Sequence, residues 1–422
     1  MKLELTLQDK ILQIGKNAKV SSRDLARLNA KEKNEILFQI KKNLISNCEY
    51  ILEENKKDMA HGREIGMSQG LLDRLLLNRQ RIENMADSLD TIISLNDPVG
   101  KTLSAFINSD GLNIAKRTVP MGVIAIIYEA RPNVTLDAAA LSLKAGSSII
   151  LRGGKEAINS NIAIASSIRD AIKSLSYNEN MVQIIEDTKR DSALYLMQLK
   201  GYVDLLVPRG SASLINSVVE NAKVPTLQTG VGNCHVYVDS SAKVDMAIKI
   251  IENAKTQRVG VCNAMESLLV HKDVDKKFFA ELQKLIDKYS IKVYAGKNSK
   301  EYLKNVDDAK EDDYGKEYLD MAFSMKIVDS LDEAIDHIYK YSTGHSEVIV
   351  TESYENAMEF TKRVDSAAVY VNASSRFTDG GVFGFGAELG ISTQKLHARG
   401  PVGLDELVSS KFVILGNGQV RE

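Results

Sequence analysis

The residue best placed to do chemistry in this chain is Cys262. It lies in the polar loop Thr256-Gln257-Arg258-Val259-Gly260-Val261-Cys262-Asn263-Ala264, ahead of the apolar run Leu268-Leu269-Val270. The thiolate is the nucleophilic form of cysteine, and a nearby glycine lets backbone approach a reacting carbon. The competing reading is a small buried apolar residue, because free cysteine is among the most buried residue types. The other two cysteines read as packing residues. Cys48 continues the helical stripe Ile36, Leu37, Ile40, Leu44 and Ile45, and Cys234 stands beside the apolar run from His235 to Val238.

A second concentration of chemistry lies between Arg376 and Gly403, where seven of the 27 glycines fall. Such density marks backbone that bends tightly or approaches a ligand. Arg376, Lys395, His397 and Arg399, interspersed there, suit anionic groups. Two further turns carry cations after apolar runs: Arg152-Gly153-Gly154-Lys155 after Leu151, and Pro208-Arg209-Gly210-Ser211 after Val207. The second opens a helix, whose N-terminal N–H groups form a natural phosphate site. Each could be an ordinary strand-to-helix turn; together with their cations they favour a phosphorylated nucleotide. The G-x-G-x-x-G fingerprint and the phosphate-binding G-x-x-x-x-G-K-[ST] loop are both absent from the sequence.

The elements that must hold these residues are legible from hydrophobic rhythm. The first hundred residues read as helices. After Pro120, apolar runs (Val123–Ile127, Ser148–Leu151, Val203–Val207, His235–Val238) alternate with helical stretches (136–144, 159–173, 211–221, 244–254). Continuous apolar strands between helices indicate parallel sheets covered on both faces. A second such set follows Cys262, with strands expected at 268–270, 291–293, 322–328 and 347–350 and helices at 278–289 and 331–339. The acidic stretch from Asp307 to Asp313 reads as a solvated loop.

At 422 residues the chain can bury two or three domains, and 54 basic against 56 acidic residues give no sign of a nucleic-acid or membrane surface. Three cysteines fit reduced thiols in a cytoplasmic protein, and the segment from Met1 to Leu5 lacks the layout of a signal peptide. His345 and His397 are spaced for neither a metal site nor a triad, so no metal is assigned.

The blocks Pro120-Met121-Gly122, Glu129-Ala130-Arg131-Pro132-Asn133-Val134-Thr135, Lys144-Ala145-Gly146, Arg152-Gly153-Gly154-Lys155-Glu156-Ala157 and Val259-Gly260-Val261-Cys262-Asn263, followed by the glycine-rich tail, carry a resemblance. In this order they resemble the aldehyde dehydrogenase superfamily. The blocks 364–374 and 391–401 are, within it, similar to the γ-glutamyl phosphate reductase family. The resemblance implies an α/β fold, with an atypical Rossmann cofactor domain lacking the usual fingerprint, a second α/β catalytic domain and a small oligomerisation element. It implies domains at 1–240 (NADP-binding, with an oligomerisation excursion near 101–120), 241–370 (catalytic, carrying Cys262) and 371–422 (glycine-rich active-site loop and C-terminal oligomerisation segment).

The implied activity is NADPH-dependent reduction of L-glutamyl 5-phosphate to glutamate 5-semialdehyde in proline biosynthesis, with release of phosphate. A separate glutamate 5-kinase and a homo-oligomer, dimer or tetramer, are implied as partners. By resemblance Cys262 is the nucleophile, and Asn133 stabilises the oxyanion with the Cys262 backbone N–H. Arg152 and Gly153 stand at the adenine ribose, Lys155 near the 2′-phosphate, Arg209, Gly210 and Ser211 at the pyrophosphate, and Glu317 at the nicotinamide ribose. Arg376 and Ser374 are candidates for the substrate's amino and carboxylate groups. Oxidising members carry a glutamate base in a Glu-Leu-Gly-Gly block; the stretch here is Gln228-Thr229-Gly230-Val231-Gly232. Losing that base protects a thioester from water, as reduction requires. A CoA-acylating enzyme would lack it too.

Overall fold

The computed structural model describes residues 5–421, and the chain divides into two compact units. The first runs through Thr229 and takes back Gly384–Gly390 and the residues from Val402 onward; the second comprises Gly230–Phe383 and Ile391–Pro401.

The first unit opens with helices α1 (Leu7–Leu25), α2 (Ala30–Ser46), α3 (Cys48–Glu64), α4 (Gln69–Leu75) and α5 (Arg79–Ser94). Capping boxes start two of them: Thr6 with Asp9 at α1, and Asn29 with Glu32 at α2. The expected stripe of α2 is buried at Ile36, Leu37, Ile40 and Leu44, and Cys48 is buried at the start of α3. Ile45 departs from the expectation and is exposed, because it follows Leu44 by one residue and so points about 100° away from it.

Strands β1 (Thr102–Ile107) and β2 (Asn113–Pro120) then form an antiparallel hairpin. The alternating region follows as β3 (Val123–Tyr128), α6 (Pro132–Lys144), β4 (Ser148–Gly153), α7 (Ile158–Ser174), β5 (Val182–Ile184), α8 (Arg190–Met197), β6 (Leu205–Arg209) and α9 (Ala212–Asn221). The strands form a parallel sheet in the order β5-β4-β3-β6. Val123, Ala125 and Ile127 pack on one face against Ile11 and Ala18 of α1 and Leu196 of α8.

Strand β6 begins two residues later than its apolar run suggests and extends through Pro208. Val203 is taken up in a turn, its N–H bonded to Leu199 O. Proline fits there because β6 is last in the sheet order and can do without one ladder N–H.

The second unit contains β7 (Cys234–Val238), α10 (Val244–Thr256), β8 (Met265–His271), α11 (Lys277–Tyr289), β9 (Lys292–Ala295), β10 (Asp307–Asp308), β11 (Ala322–Val328), α12 (Leu331–Tyr341), β12 (Ser346–Val350), α13 (Tyr354–Arg363) and β13 (Ala368–Val371). All seven strands are parallel, in the order β10-β9-β11-β8-β7-β12-β13. Alternation sets the two faces. Val236 and Val238 pack with Ile251 of α10 and Phe278 of α11, whereas Tyr237 packs with Ile335 of α12 and Phe360 of α13. The acidic stretch is largely exposed, as expected, although Asp307 and Asp308 pair with β9.

The tail adds the short antiparallel pair β14 (Ile391–Ser392) and β15 (Gly400–Pro401) to the second unit. Strand β16 (Val408–Leu415) pairs antiparallel with β2 in the first, completing the sheet β1-β2-β16. Among the described residues, no helix is long and apolar enough to cross a membrane.

Candidate active site

In the first unit the candidate residues gather where β3, β4 and β6 end, the edge at which open α/β sheets bind ligands. Ser211 caps α9, its hydroxyl accepting the Leu214 N–H. Its own N–H and hydroxyl donate to the Glu129 carboxylate, at 2.7 and 3.1 Å. A Cβ at Gly210 would stand 2.5 Å from that carboxylate, so only glycine leaves it room. The helix start read as a phosphate turn therefore holds an anionic oxygen supplied by the protein. Its donor set suits phosphate, and Glu129 stands where a phosphate oxygen would bind.

Arg152 lies in the strand itself, since β4 continues through Gly153 instead of ending at Leu151. Its Nη2 donates to the Thr188 and Lys189 carbonyls at 2.8 and 3.0 Å, and its Nη1 to Gly153 O at 3.1 Å. The guanidinium thus braces the segment leading into α8. Lys155 is exposed in the 3₁₀ turn Lys155–Ala157, beside Glu156, whose carboxylate accepts the Ala130 N–H at 2.7 Å.

Asn133 is the second residue of α6, after Pro132, which suits a first turn because its missing N–H would have no partner there. Its Nδ2 donates to Asp137 Oδ2 at 3.0 Å. Burial pushes the Asp137 carboxyl up to about 6, against the Asn133 hydrogen bond and the charge of Arg209.

In the second unit Cys262 is half-buried in a turn, with Cys234 buried beside it; Cys48 is buried in the first unit. The backbone of Gly232 packs flat against it: a Cβ there would lie 1.5 Å from Cys262 O and 2.7 Å from its Cα. The Gly232 N–H donates to Glu317 Oε1 at 2.9 Å, and burial raises that carboxyl above its ordinary range. Glu317 thus docks on the Gly-Val-Gly stretch from an irregular segment and does not begin a helix. Cys234 Sγ donates to Cys262 O at 3.2 Å, so this packing cysteine also pins the backbone of the reactive one.

The two ends of the Cys262 loop are stapled. Lys255, in the last turn of α10, and Glu266, early in β8, meet at 2.6 Å with both side chains fully enclosed. Burial pushes Lys255 down and Glu266 up against their mutual attraction. The second Glu266 oxygen accepts the Leu319 N–H at 3.2 Å, tying in the segment that carries Glu317.

Beyond the cysteine, Asn263 Nδ2 donates to Thr378 O at 2.8 Å, and the Ser375 hydroxyl donates to Asn263 O at 2.7 Å. These bonds fix the 3₁₀ turn Ser375–Phe377 that carries Arg376, and Ser374 caps it by accepting the Arg376 N–H at 3.2 Å. Arg376 Nε donates to Gln257 Oε1 at 3.0 Å. Burial and the like charge of Arg258 lower the Arg376 guanidinium, while Cys262 and Asp379 raise it. Arg376 therefore shares the surroundings of the thiol, and Arg258 lies near enough for its charge to act on Arg376. Lys395 and Arg399 do not join them, because both form ion pairs with Asp365.

Sequence reasoning missed Glu129, Asp137, Arg258 and the Lys255–Glu266 pair as contributors. Only Arg258, within the Cys262 loop, carried a signal in its position.

Comparison with known proteins agrees with this architecture. The Aldehyde dehydrogenase family matches residues 2–301. The chain is 52% identical to a gamma-glutamyl phosphate reductase of Clostridium novyi, over 99% of this chain and all of the relative. It is 51% identical to one from Clostridium acetobutylicum, with the same coverage. The crystal structure of gamma-glutamyl phosphate reductase from Thermotoga maritima matches with a TM-score of 0.96 at 48% identity, covering 98% of this chain and 100% of that one. An acetylating aldehyde dehydrogenase from Geobacillus thermoglucosidasius shares the fold, with a TM-score of 0.70 at 16% identity over 99% and 98% of the two chains. With the parallel sheets, the glycine-backed cysteine loop and full-length likeness at half identity, the chain belongs to the aldehyde dehydrogenase family and, within it, to the γ-glutamyl phosphate reductases.

Proposed function

We propose that this protein reduces L-glutamyl 5-phosphate to L-glutamate 5-semialdehyde with NADPH, releasing phosphate, as a cytoplasmic step of proline biosynthesis. The observation that carries this reading is the half-buried Cys262, held in a stapled loop beside Arg376, in a chain alike over its whole length to gamma-glutamyl phosphate reductases.

The Cys262 thiolate attacks the acyl carbon, and the C–O bond to phosphate breaks with its electron pair leaving on phosphate. A thioester remains on Cys262. NADPH, when bound, supplies the hydride that takes this acyl group to the aldehyde level. As the tetrahedral oxyanion collapses, the C–S bond breaks and the thiolate of Cys262 is restored. The Asn133 amide and the Cys262 backbone N–H stabilise the negative oxygen in both addition steps. No carboxylate stands within Gln228–Gly232 to activate water, which preserves the thioester. Arg376, with Ser374 supporting its turn and offering a hydroxyl, receives the substrate's carboxylate and amino groups.

For the nucleotide, Gly210, Ser211 and Arg209 would hold the pyrophosphate, with Glu129 yielding its place on Ser211. Arg152 and Gly153 would shape the adenosine side, Lys155 would meet the 2′-phosphate, and Glu317 would hold the nicotinamide ribose. The sheet β1-β2-β16 exposes Leu103, Phe106, Ile107, Phe412 and Ile414, which supports self-association through it. The domain roles follow the two units, with nucleotide binding in the residues through Thr229 and catalysis from Gly230. That boundary lies ahead of the one expected at 240 because β7 belongs to the second sheet, and an active-site loop and an oligomerisation segment come after 371. A separate glutamate 5-kinase supplies the acyl phosphate.

The test runs the reaction backwards. With inorganic phosphate and NADP, the protein should oxidise glutamate 5-semialdehyde, and CoA should not replace phosphate. CoA-dependent, phosphate-independent turnover would overturn the reading.

A further inference from the structure

Helix α6 is buried over almost its whole length, at Val134, Thr135, Leu136 and every residue from Ala138 to Lys144. Asp137 is its one acidic residue, and aspartate is a poor helix former. Its place needs a reason. The structure supplies one in Asn133, one turn earlier, whose Nδ2 donates to Asp137 Oδ2 at 3.0 Å. The other group acting on the carboxylate is the Arg209 guanidinium at the end of β6. Gly390 comes close to that guanidinium, for a Cβ there would lie 3.0 Å from Arg209 Nη1.

We propose that Asp137 is a positioning residue: its carboxylate fixes the Asn133 amide with nitrogen turned inward, leaving the second amide hydrogen for the substrate's acyl oxygen. This rests on the reading of Asn133 as an oxyanion donor. An ionised carboxylate has acceptors only, so it selects the NH₂ end of the amide. A protonated one carries an O–H donor and can instead bond the amide oxygen, which lets the amide turn over. One proton on Asp137 therefore decides which end of Asn133 meets the substrate. Burial brings that titration to about 6, so the device is set above this pH and released below it.

The experiment measures kcat and KM for phosphate-dependent semialdehyde oxidation from pH 5 to 8, in the wild type, Asn133→Ala, Asp137→Asn and the double variant. Asn133→Ala should lower kcat about 100-fold at pH 7.5, as for loss of an oxyanion donor. Asp137→Asn should lower it roughly 10-fold with KM changed less than about threefold, and the double variant should be no worse than Asn133→Ala. The wild-type acid limb near pH 6 should vanish in Asn133→Ala, where no amide remains to be oriented. That comparison decides the matter even if Asp137→Asn fails to fold. A limb that persists in Asn133→Ala, or additive losses in the double variant, would overturn the positioning role while leaving the oxyanion reading intact. An Asn133→Ala enzyme with unchanged kcat would instead remove the oxyanion reading, and the inference with it.

Discussion

The two parallel sheets of this protein carry their chemistry at opposite ends. In the first unit Glu129, Arg209 and Ser211 stand where strands finish and α9 begins, so helix N–H groups and the positive end of the helix dipole face any ligand. In the second unit Cys262 stands ahead of β8, and Gly232 ahead of β7, at the amino ends of strands. The helix α10 arrives there with its carbonyl end, which disfavours a negative charge. The first arrangement presents a backbone N–H and the Ser211 hydroxyl, which together hold the Glu129 carboxylate. The second has no helix N-terminus at its thiol; the positive charge there is the Arg376 guanidinium, close enough to Cys262 for the two to act on each other. The same βα architecture thus puts a carboxylate on the N–H and hydroxyl of a helix cap at one edge and a half-buried thiol beside a guanidinium at the other.

The sharpest way to break this comparison is to remove the nucleophile. Cys262→Ser should lower phosphate-dependent turnover at least about 1000-fold. Iodoacetamide should mark Cys262 in the wild type ahead of the buried Cys48 and Cys234, read by peptide mass spectrometry. Robust turnover by the serine variant would end the thiol mechanism.

Next in size is the staple. Lys255→Met leaves Glu266 buried without its cation and should cost about 3–5 kcal/mol in denaturant unfolding. The double replacement Lys255→Met/Glu266→Leu should recover most of it. If the single variant is as stable as wild type, the pair does not hold the loop. Gly232→Ala comes below this, at roughly 2–3 kcal/mol, by forcing a methyl into the Cys262 backbone; thermal melts and alkylation rates should both register the shift.

The comparison of charges is tested by Arg258→Ala/Arg376→Ala. Alkylation of Cys262 at pH 7 should slow about tenfold and its midpoint should move to higher pH. An unchanged profile would mean that the thiolate needs no imported charge. The smallest effect is expected at the other edge. Ser211→Ala loses the cap of α9 and should cost about 1 kcal/mol of stability, with a matching loss of NADPH affinity in calorimetry.

Much of the frame is legible in local pattern. Val123–Tyr128 outlasts its apolar run by one residue, because a strand covered on both faces is apolar throughout, and Ala322–Val328 is a strand over its whole expected span although it carries Ser324 and Lys326. Helices ended near their expected limits for the same kind of reason: α10 and α11 carry their apolar faces in a 3.6-residue rhythm. The candidate site was legible only as far as its chemistry sits in contiguous residues, as around Cys262. Glu129 meets Ser211 across most of a domain, Glu317 meets Gly232, and Asp365 withdraws Lys395 and Arg399 from the tail's cations. No spacing announces such pairs.

What the sequence determined by itself was the alternation of buried strands and amphipathic helices, and a cysteine in a loop where glycine and polar residues exclude ordinary packing. The tertiary structure decided the surroundings of that cysteine: a glycine backbone pressed on its carbonyl, a buried ion pair closing its loop, and the Arg376 guanidinium at its side. The physical reason is range. Hydrophobic patterning acts between neighbours a few residues apart, whereas burial, charge and steric exclusion depend on groups that only folding brings together.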